Sequence, residues 1–394
     1  MRPQIALPPK NRTLLLRGIH SPEPVTGLTH NFYKYPARFS PLFARASIAA
    51  FTQPGDVVYD PFMGGGTTLV EATAMNRRVI GNDINSLAVF VAEVKTSVLQ
   101  GSQRSDIRSW ANRLVSKMTV CAPVERARDW AESGYQRNIN SPETWRIRKI
   151  VELALGEASS LPSEEAQQFA RCIVLRTAQW ALDCRKNIPT VGDFRSRFHE
   201  NAIEMIRGAA QYARAVRGKS HALCLHRSAV GIEKEPILTR HRPIRLVLTS
   251  PPYPGVHVLY HRWQVQGRKE TPAPFWIASK LDGHFASYYT FGDRNEQQLK
   301  SYFERALAAF SSIAKIADEN TVLVQIVAFS DPDDQLERYA SMMKEAGFSE
   351  QKIPELANAP DGRVWRSVPG RKWYASQRGT TTSSSEVVLF HTIK

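Results

Sequence analysis

One junction constrains the fold more than any other part of this chain of 394 residues. Asp56-Val57-Val58-Tyr59-Asp60 is a short apolar run with the character of a buried strand. It leads into Pro61-Phe62-Met63-Gly64-Gly65-Gly66 and then into the helix-like Thr67-Thr68-Leu69-Val70-Glu71-Ala72. Arg78-Val79-Ile80-Gly81-Asn82-Asp83 reads as the next strand, and Leu87 to Val94 as the next helix. Strand, glycine loop, helix and strand in that order make one βαβ unit of a doubly wound parallel sheet.

The remaining segments extend this sheet and interrupt it once. Residues 1–28 carry Pro3, Pro8, Pro9, Pro22 and Pro24 and read as irregular; a helix follows Pro41, and Gln53-Pro54-Gly55 signals a turn. From about 100 to 217 no clear strand is present. Apolar spacing there is helical, as in Trp145 to Leu153 and Phe169 to Leu182, which predicts an insertion of several helices. Strand-like runs return at Ala222 to Leu225, Ile244 to Leu248, Thr321 to Ala328 and Glu386 to Phe390. Helices are expected at Leu299 to Ala317 and Leu336 to Ala346, with a loop-rich stretch over about 254–295. The expected organisation is an α/β sheet with helices on both faces, divided into residues 1–99, a helical insertion over 100–217, and residues 218–394.

Charge narrows the partners. Lys plus Arg number 52 and Asp plus Glu 37, a formal charge of +15. The excess is uneven: residues 1–50 sum to +6 and 221–300 to +5, whereas 51–100 sum to −2 and 301–360 to −5. A basic face for a polyanion is expected from that separation; the alternative is a solvated surface with chance clustering. No run of 18 apolar residues suggests a membrane span, and Met1 to Ser21 has no apolar core of a secretory signal. Cys121, Cys172, Cys184 and Cys224 show no metal-type spacing, so no metal is expected, and a reduced, cytoplasmic setting is the simplest reading.

Two loops carry the chemistry. Glycines after the first strand let backbone approach a ligand closely, and Asp60 at the strand end is placed to accept from a ligand ammonium. Asp83, ending the next strand, is placed for ribose hydroxyls. A ligand with an amino-acid end and a nucleoside end fits this set, and S-adenosyl-L-methionine has both. The lysine of a phosphate-binding loop is absent, and the alternative is a tight turn serving only the chain path. The second loop, Thr249-Ser250-Pro251-Pro252-Tyr253, follows another buried strand whose carboxyl end would share the same sheet edge. Its prolines stiffen the backbone. The Ser250 hydroxyl and the Pro251 carbonyl are candidate acceptors for an exocyclic NH₂, with Tyr253 offering a ring for stacking. The alternative is a rigid turn with a buried aromatic.

Together the two loops resemble the S-adenosylmethionine-dependent amino-methyltransferases of DNA. Their first motif looks like Asp60-Pro-Phe-Met-Gly-Gly-Gly-Thr-Thr68 and their catalytic motif like Ser250-Pro-Pro-Tyr253. The stretch His30 to Phe39 is similar to the segment that closes over the cofactor's methionine end. The resemblance implies a Rossmann-like class I methyltransferase sheet. It implies a cofactor site at Tyr35, Pro36, Phe39, Asp60, Pro61, Phe62, Gly64, Gly66, Thr67, Thr68 and Asp83, and a catalytic site at Ser250, Pro251, Pro252 and Tyr253. Serine before Pro-Pro-Tyr resembles the cytosine-N4 subgroup, whereas adenine-N6 relatives more often carry Asp or Asn. The implied partners are double-stranded DNA and, in a restriction-modification or related setting, a cognate endonuclease. His226-Arg227-Ser228 departs from the pattern, in which an acidic residue often stands near the adenine.

After Tyr253, aromatic and basic residues interleave. His257, Tyr260, His261, Arg262, Trp263, Arg268, Lys269, Phe275, Trp276, Tyr288 and Tyr289 are candidates for stacking bases and neutralising phosphates, the alternative being a covering loop packed on the fold. Arg363 to Arg366 and Arg371 to Tyr374 repeat the theme. The expected reaction is methyl transfer to an exocyclic nitrogen of a base flipped out of the duplex. C5-methylation is disfavoured because no Pro-Cys dipeptide supplies a nucleophile. Rival readings are an adenine-N6 DNA enzyme, an RNA enzyme, or a non-catalytic DNA-binding protein that keeps the fold.

Overall fold

The computed structural model describes residues 5, 7–36, 38–123, 127–216, 221–256, 259, 261–267, 269–283, 286–293, 295–367 and 385–394. The strands are β1 (Val57–Asp60), β2 (Arg78–Asp83), β3 (Ala222–His226), β4 (Ile244–Thr249), β5 (Trp263–Val265), β6 (Lys269–Thr271), β7 (Val322–Val327), β8 (Phe348–Glu350), β9 (Val364–Ser367) and β10 (Ser385–Ile393). Eight of them form one sheet in the order β3-β2-β1-β4-β7-β10-β8, with β9 pairing β10; β5 and β6 form a separate hairpin. The run from β3 to β7 is parallel, and β10 runs antiparallel to β7, β8 and β9. This is the doubly wound α/β sheet expected from the sequence.

Helices before the insertion are α1 (Pro9–Ile19), α2 (Pro41–Phe51), α3 (Thr67–Ala74) and α4 (Ser86–Thr96). The insertion contributes α5 (Gly101–Lys117), α6 (Arg128–Glu132), α7 (Trp145–Ala158), α8 (Glu164–Leu182) and α9 (Val191–Val216). After it come α10 (Pro236–Arg240), α11 (Ala273–Ala278), α12 (Lys300–Ala314) and α13 (Pro332–Glu345). Alternation along the strands sorts the core. Val57, Tyr59, Val247 and Leu323 face the α12–α13 side, and Val58, Leu246, Leu248 and Val324 face the side covered by α1, α2 and α3. Helices 5, 7, 8 and 9 share a third core that takes in Trp263, Val265, Phe275 and Trp276.

Two expectations change. Residues 1–28 are not irregular throughout: α1 begins at Pro9, where proline at the first helical position loses no intrahelical bond and has its φ already set. The stretch 254–295 is not loop alone; it contains the β5–β6 hairpin and α11, which pack on the insertion rather than on the sheet.

For function the decisive feature is the strand order. Strand β1 has β2 on one side and β4 on the other, so the connections diverge there, and a crevice forms at the carboxyl edge. The glycine loop leaves β1 at that edge, and Ser250 leaves β4.

Candidate active site

The glycine loop is held in a shape that other residues would strain. Gly64 and Gly66 have φ of 44° and 73°, and Gly66 sits at the N-cap of α3. Gly65 is tight for a different reason: a Cβ there would stand 2.9 Å from the Cβ of Tyr35. Tyr35 thus lies directly on the loop, and its hydroxyl accepts from Asn85 Nδ2 at 3.0 Å. Lys95 of α4 supports the loop from beneath. It is fully buried and donates to the Gly65 carbonyl at 2.7 Å, and burial pushes its pKa down to about 7. His30 anchors the segment leading to Tyr35, through Glu71 of α3 at 2.8 Å; Arg45 holds the second oxygen of Glu71, also at 2.8 Å.

At the end of β2, Asp83 closes the loop from the other side. Its carboxylate accepts from the Gly64 amide at 2.9 Å and the Asn85 amide at 2.8 Å. Burial raises its pKa to about 6, which the backbone donors only partly offset. Asp60 is raised to about 6 by the same cause. Its Oδ1 accepts from Thr249 Oγ1 at 2.7 Å and from the Phe62 amide at 3.2 Å. Asp60 is 1% exposed and is not a lining residue of the cavity described next. Beside the end of β4, its nearest donors are protein groups, Thr249 and the Phe62 amide. Thr68 is likewise turned inward, with its hydroxyl on the Leu248 carbonyl at 3.3 Å.

A cavity of about 270 Å³ opens over these groups. Tyr35, Pro36 and Phe39 form one wall, with Pro61, Phe62, Gly64, Thr67 and Asp83 beneath. Ser250 and Pro252 border the same space. The two loops singled out in the sequence therefore meet, with the Thr249–Asp60 bond between them. Neither Pro251, Gly66, Thr68 nor Tyr253 lines it. Tyr288 and Tyr289, named in the sequence among the base-stacking candidates, also line the cavity, together with residues the sequence did not single out as a site, among them Asn82, Asn85, Arg227 to Val230, Phe291 and Arg305. In place of the acidic residue of the family pattern, Arg227 turns its guanidinium to Glu235 at 2.6 Å.

Tyr253 differs from its expected role. It is 6% exposed and packs in the core beside Tyr302, so it presents no face for stacking. Its hydroxyl instead accepts from Ser250 Oγ at 2.9 Å and donates to Glu386 Oε1 of β10 at 3.0 Å. The Pro252 carbonyl accepts from Tyr302 at 2.7 Å. Tyr288, 39% exposed, and Phe291 are aromatic surfaces that do face the cavity.

The nucleic-acid candidates separate. His257, Tyr260 and Arg268 lie outside the described residues, as do Arg371 to Tyr374. Trp263 is buried at 2% exposure and donates to Tyr33 at 2.9 Å, while Arg262 pairs with Asp282 at 2.7 Å. Trp263 is thus a core residue, and Arg262 is ion-paired. Lys269 is exposed. His261 is buried and stacks on Tyr289 with ring centroids 5.0 Å apart.

Comparison with known proteins gives these features a context. Residues 11–93 match the N6/N4 methyltransferase family model, described as DNA methylase. The chain is 36% identical over 96 residues to the type II methyltransferase M.MvaI of Kocuria varians, covering 24% of this chain and 21% of that protein. It is 38% identical over 66 residues to the type II methyltransferase M.MjaII of Methanocaldococcus jannaschii, 17% of this chain and 12% of that one. With the orphan methyltransferase M.BamHII of Bacillus amyloliquefaciens it shares 42% over 53 residues, 14% and 20% of the two chains. The matched stretches thus span about a fifth or less of these relatives. A solved structure of TrmN from Thermus thermophilus aligns with 90% of this chain and 49% of its own at 10% identity and a TM-score of 0.33, too slight a likeness to support an argument. The matched residues 11–93 include α2, the glycine loop and β2, so it is the first half of the candidate site that is similar to the N6/N4 DNA methylases.

Proposed function

We propose that the chain is an S-adenosyl-L-methionine-dependent DNA methyltransferase acting on the exocyclic N4 of cytosine. The observation that carries this reading is that Ser250 and Pro252 border the same cavity as Gly64 and Asp83. The donor set suits this cofactor. Asp83 is an acceptor for ribose hydroxyls, the wall of Pro61, Phe62 and Phe291 is apolar enough for a purine, and buried carboxyls nearby favour a cation. S-adenosylmethionine supplies a methyl group made electrophilic by its sulfonium, so this chain's residues need only bind and orient.

Tyr35 and Pro36 would cover the methionine end and exclude water, and Phe62 and Asp83 would hold the nucleoside. Ser250 Oγ would accept from the target NH₂ and turn the nitrogen lone pair towards the methyl. A target base must leave its stack to reach Ser250, and Tyr288 is an aromatic surface available to it. Serine ahead of Pro-Pro-Tyr is what favours cytosine over adenine. A restriction-modification setting with a partner endonuclease belongs to the same proposal, supported by the type II names of two relatives.

Nucleoside mass spectrometry tests the reading. DNA and RNA are incubated with the protein and methyl-deuterated S-adenosylmethionine, then digested. N4-methyldeoxycytidine carrying the label is the expected product. Label in N6-methyladenine or in RNA would replace the substrate assignment, and no label in any nucleoside would overturn the reading.

A further inference from the structure

The hydroxyl of Ser250 belongs to a buried chain that ends far away in sequence. Ser250 Oγ donates to Tyr253 Oη at 2.9 Å, and Tyr253 Oη donates to Glu386 Oε1 at 3.0 Å. The other carboxylate oxygen, Oε2, receives Arg366 Nε of β9 at 2.8 Å and Nη2 at 2.6 Å. Glu386 and Arg366 are 7% and 3% exposed at their side chains, so the pair is sealed from solvent competition. The order of these bonds has a direction. A carboxylate accepts only, so the tyrosine proton points to Glu386, and the tyrosine oxygen is left to accept from Ser250. The serine proton is thereby turned away from the cavity, and its lone pairs remain for whatever enters.

We infer that Glu386 is a positioning residue that fixes Ser250 as a hydrogen-bond acceptor and so selects an amino group over an oxo group at the target position. This rests on the proposed function and deepens it. A lone serine hydroxyl can rotate and serve either as donor or as acceptor, and so cannot by itself distinguish cytosine from uracil, or adenine from hypoxanthine. The carboxylate removes that freedom from two hydroxyls away. Arg366 matters for the same reason: as a donor-only partner on Oε2, it holds the acid by two bonds and directs Oε1 to Tyr253.

Glu386→Gln has a distinctive expected effect. Arg366 holds the glutamine carbonyl, so the amide NH₂ falls at Tyr253 and donates to it. The tyrosine then donates to Ser250, and Ser250 donates into the cavity. Turnover should fall about 10–100-fold through kcat, with S-adenosylmethionine affinity retained. Tyr253→Phe breaks the chain without reversing it, so its loss should be smaller. In the double variant the reversal has no path to Ser250, so turnover should return to the Tyr253→Phe level, which a merely structural defect would not do. A second readout needs no turnover. Fluorescence anisotropy with S-adenosylhomocysteine-loaded protein compares a duplex carrying the unmodified amino base at the position the protein methylates with one carrying its oxo counterpart there. Wild type should prefer the amino base, and Glu386→Gln should lose or reverse that preference. Retained turnover in Glu386→Gln, a double variant no better than Glu386→Gln, or an unchanged amino preference each overturns the inference. Wild-type protein that methylates no exocyclic amine would instead overturn the function on which it rests.

Discussion

Asp60 and Asp83 show how burial sets the properties of single groups. Both carboxyls are raised to about 6 by desolvation, yet Asp60 is turned to Thr249 while Asp83 borders the cavity. For Asp60 the folded value exceeds the ordinary 3.8. Its contribution to stability is therefore fully present below the unfolded pKa and is lost as pH rises through about 6. Asp60→Asn keeps the acceptor for Thr249 and Phe62 but has no charge to bury. Chemical denaturation at pH 4 and pH 7 should show the variant gaining on wild type by on the order of 2 kcal/mol across that interval. A gap that does not change with pH would contradict the assignment. At this scale the sequence was informative about residue types and less so about directions. Asp60 and Tyr253 stand where the motifs put them, but their side chains turn inward, because the adjoining end of β4 and the distant Glu386 are their nearest partners. Glu386 lies 133 residues from Tyr253, and no local pattern announces that pairing.

Among the elements, the β1–α3 joint and the segment ending at Tyr35 act as one unit. Gly65→Ala probes their contact cleanly. Unlike its two neighbours, Gly65 does not have positive φ, so the substitution tests only the approach to the Tyr35 Cβ at 2.9 Å. Calorimetry should show S-adenosylmethionine affinity falling about tenfold or more as Tyr35 is pushed from the loop. Unchanged affinity would mean that Tyr35 need not rest there. Glycine loop, flanking strands and helices were legible because each has its own short-range period and turn residues. The aromatic stretch after Tyr253 was not, since Trp263, Phe275 and Trp276 have the composition of a stacking surface and of a core alike. Only the third core, shared with helices 5, 7, 8 and 9, decides between those uses. The prolines before α1 were misleading for a simpler reason: the same residue that breaks a helix interior opens a helix at its first position.

For the whole molecule, the sheet brings two loops 189 residues apart into hydrogen-bond contact through Thr249 and Asp60, while a net charge of +15 suits a polyanion. Among the described residues no helix is long and apolar enough to cross a membrane. If DNA is the partner, much of the affinity comes from phosphate neutralisation, so log Kd plotted against log salt should rise linearly, with a slope counting the ions released. Anisotropy with a labelled duplex reads this, and a flat plot would argue against a basic binding face. The account as a whole depends on one cavity holding the methyl donor beside Ser250. Its most direct measurement is calorimetric titration of S-adenosylmethionine into wild type and Ser250→Ala, paired with methyl transfer to DNA by both. The account predicts one site of closely similar affinity in the two proteins, with transfer falling about 10-fold or more only in the variant. Absence of binding to wild type, or equal loss of binding and transfer in Ser250→Ala, would contradict it.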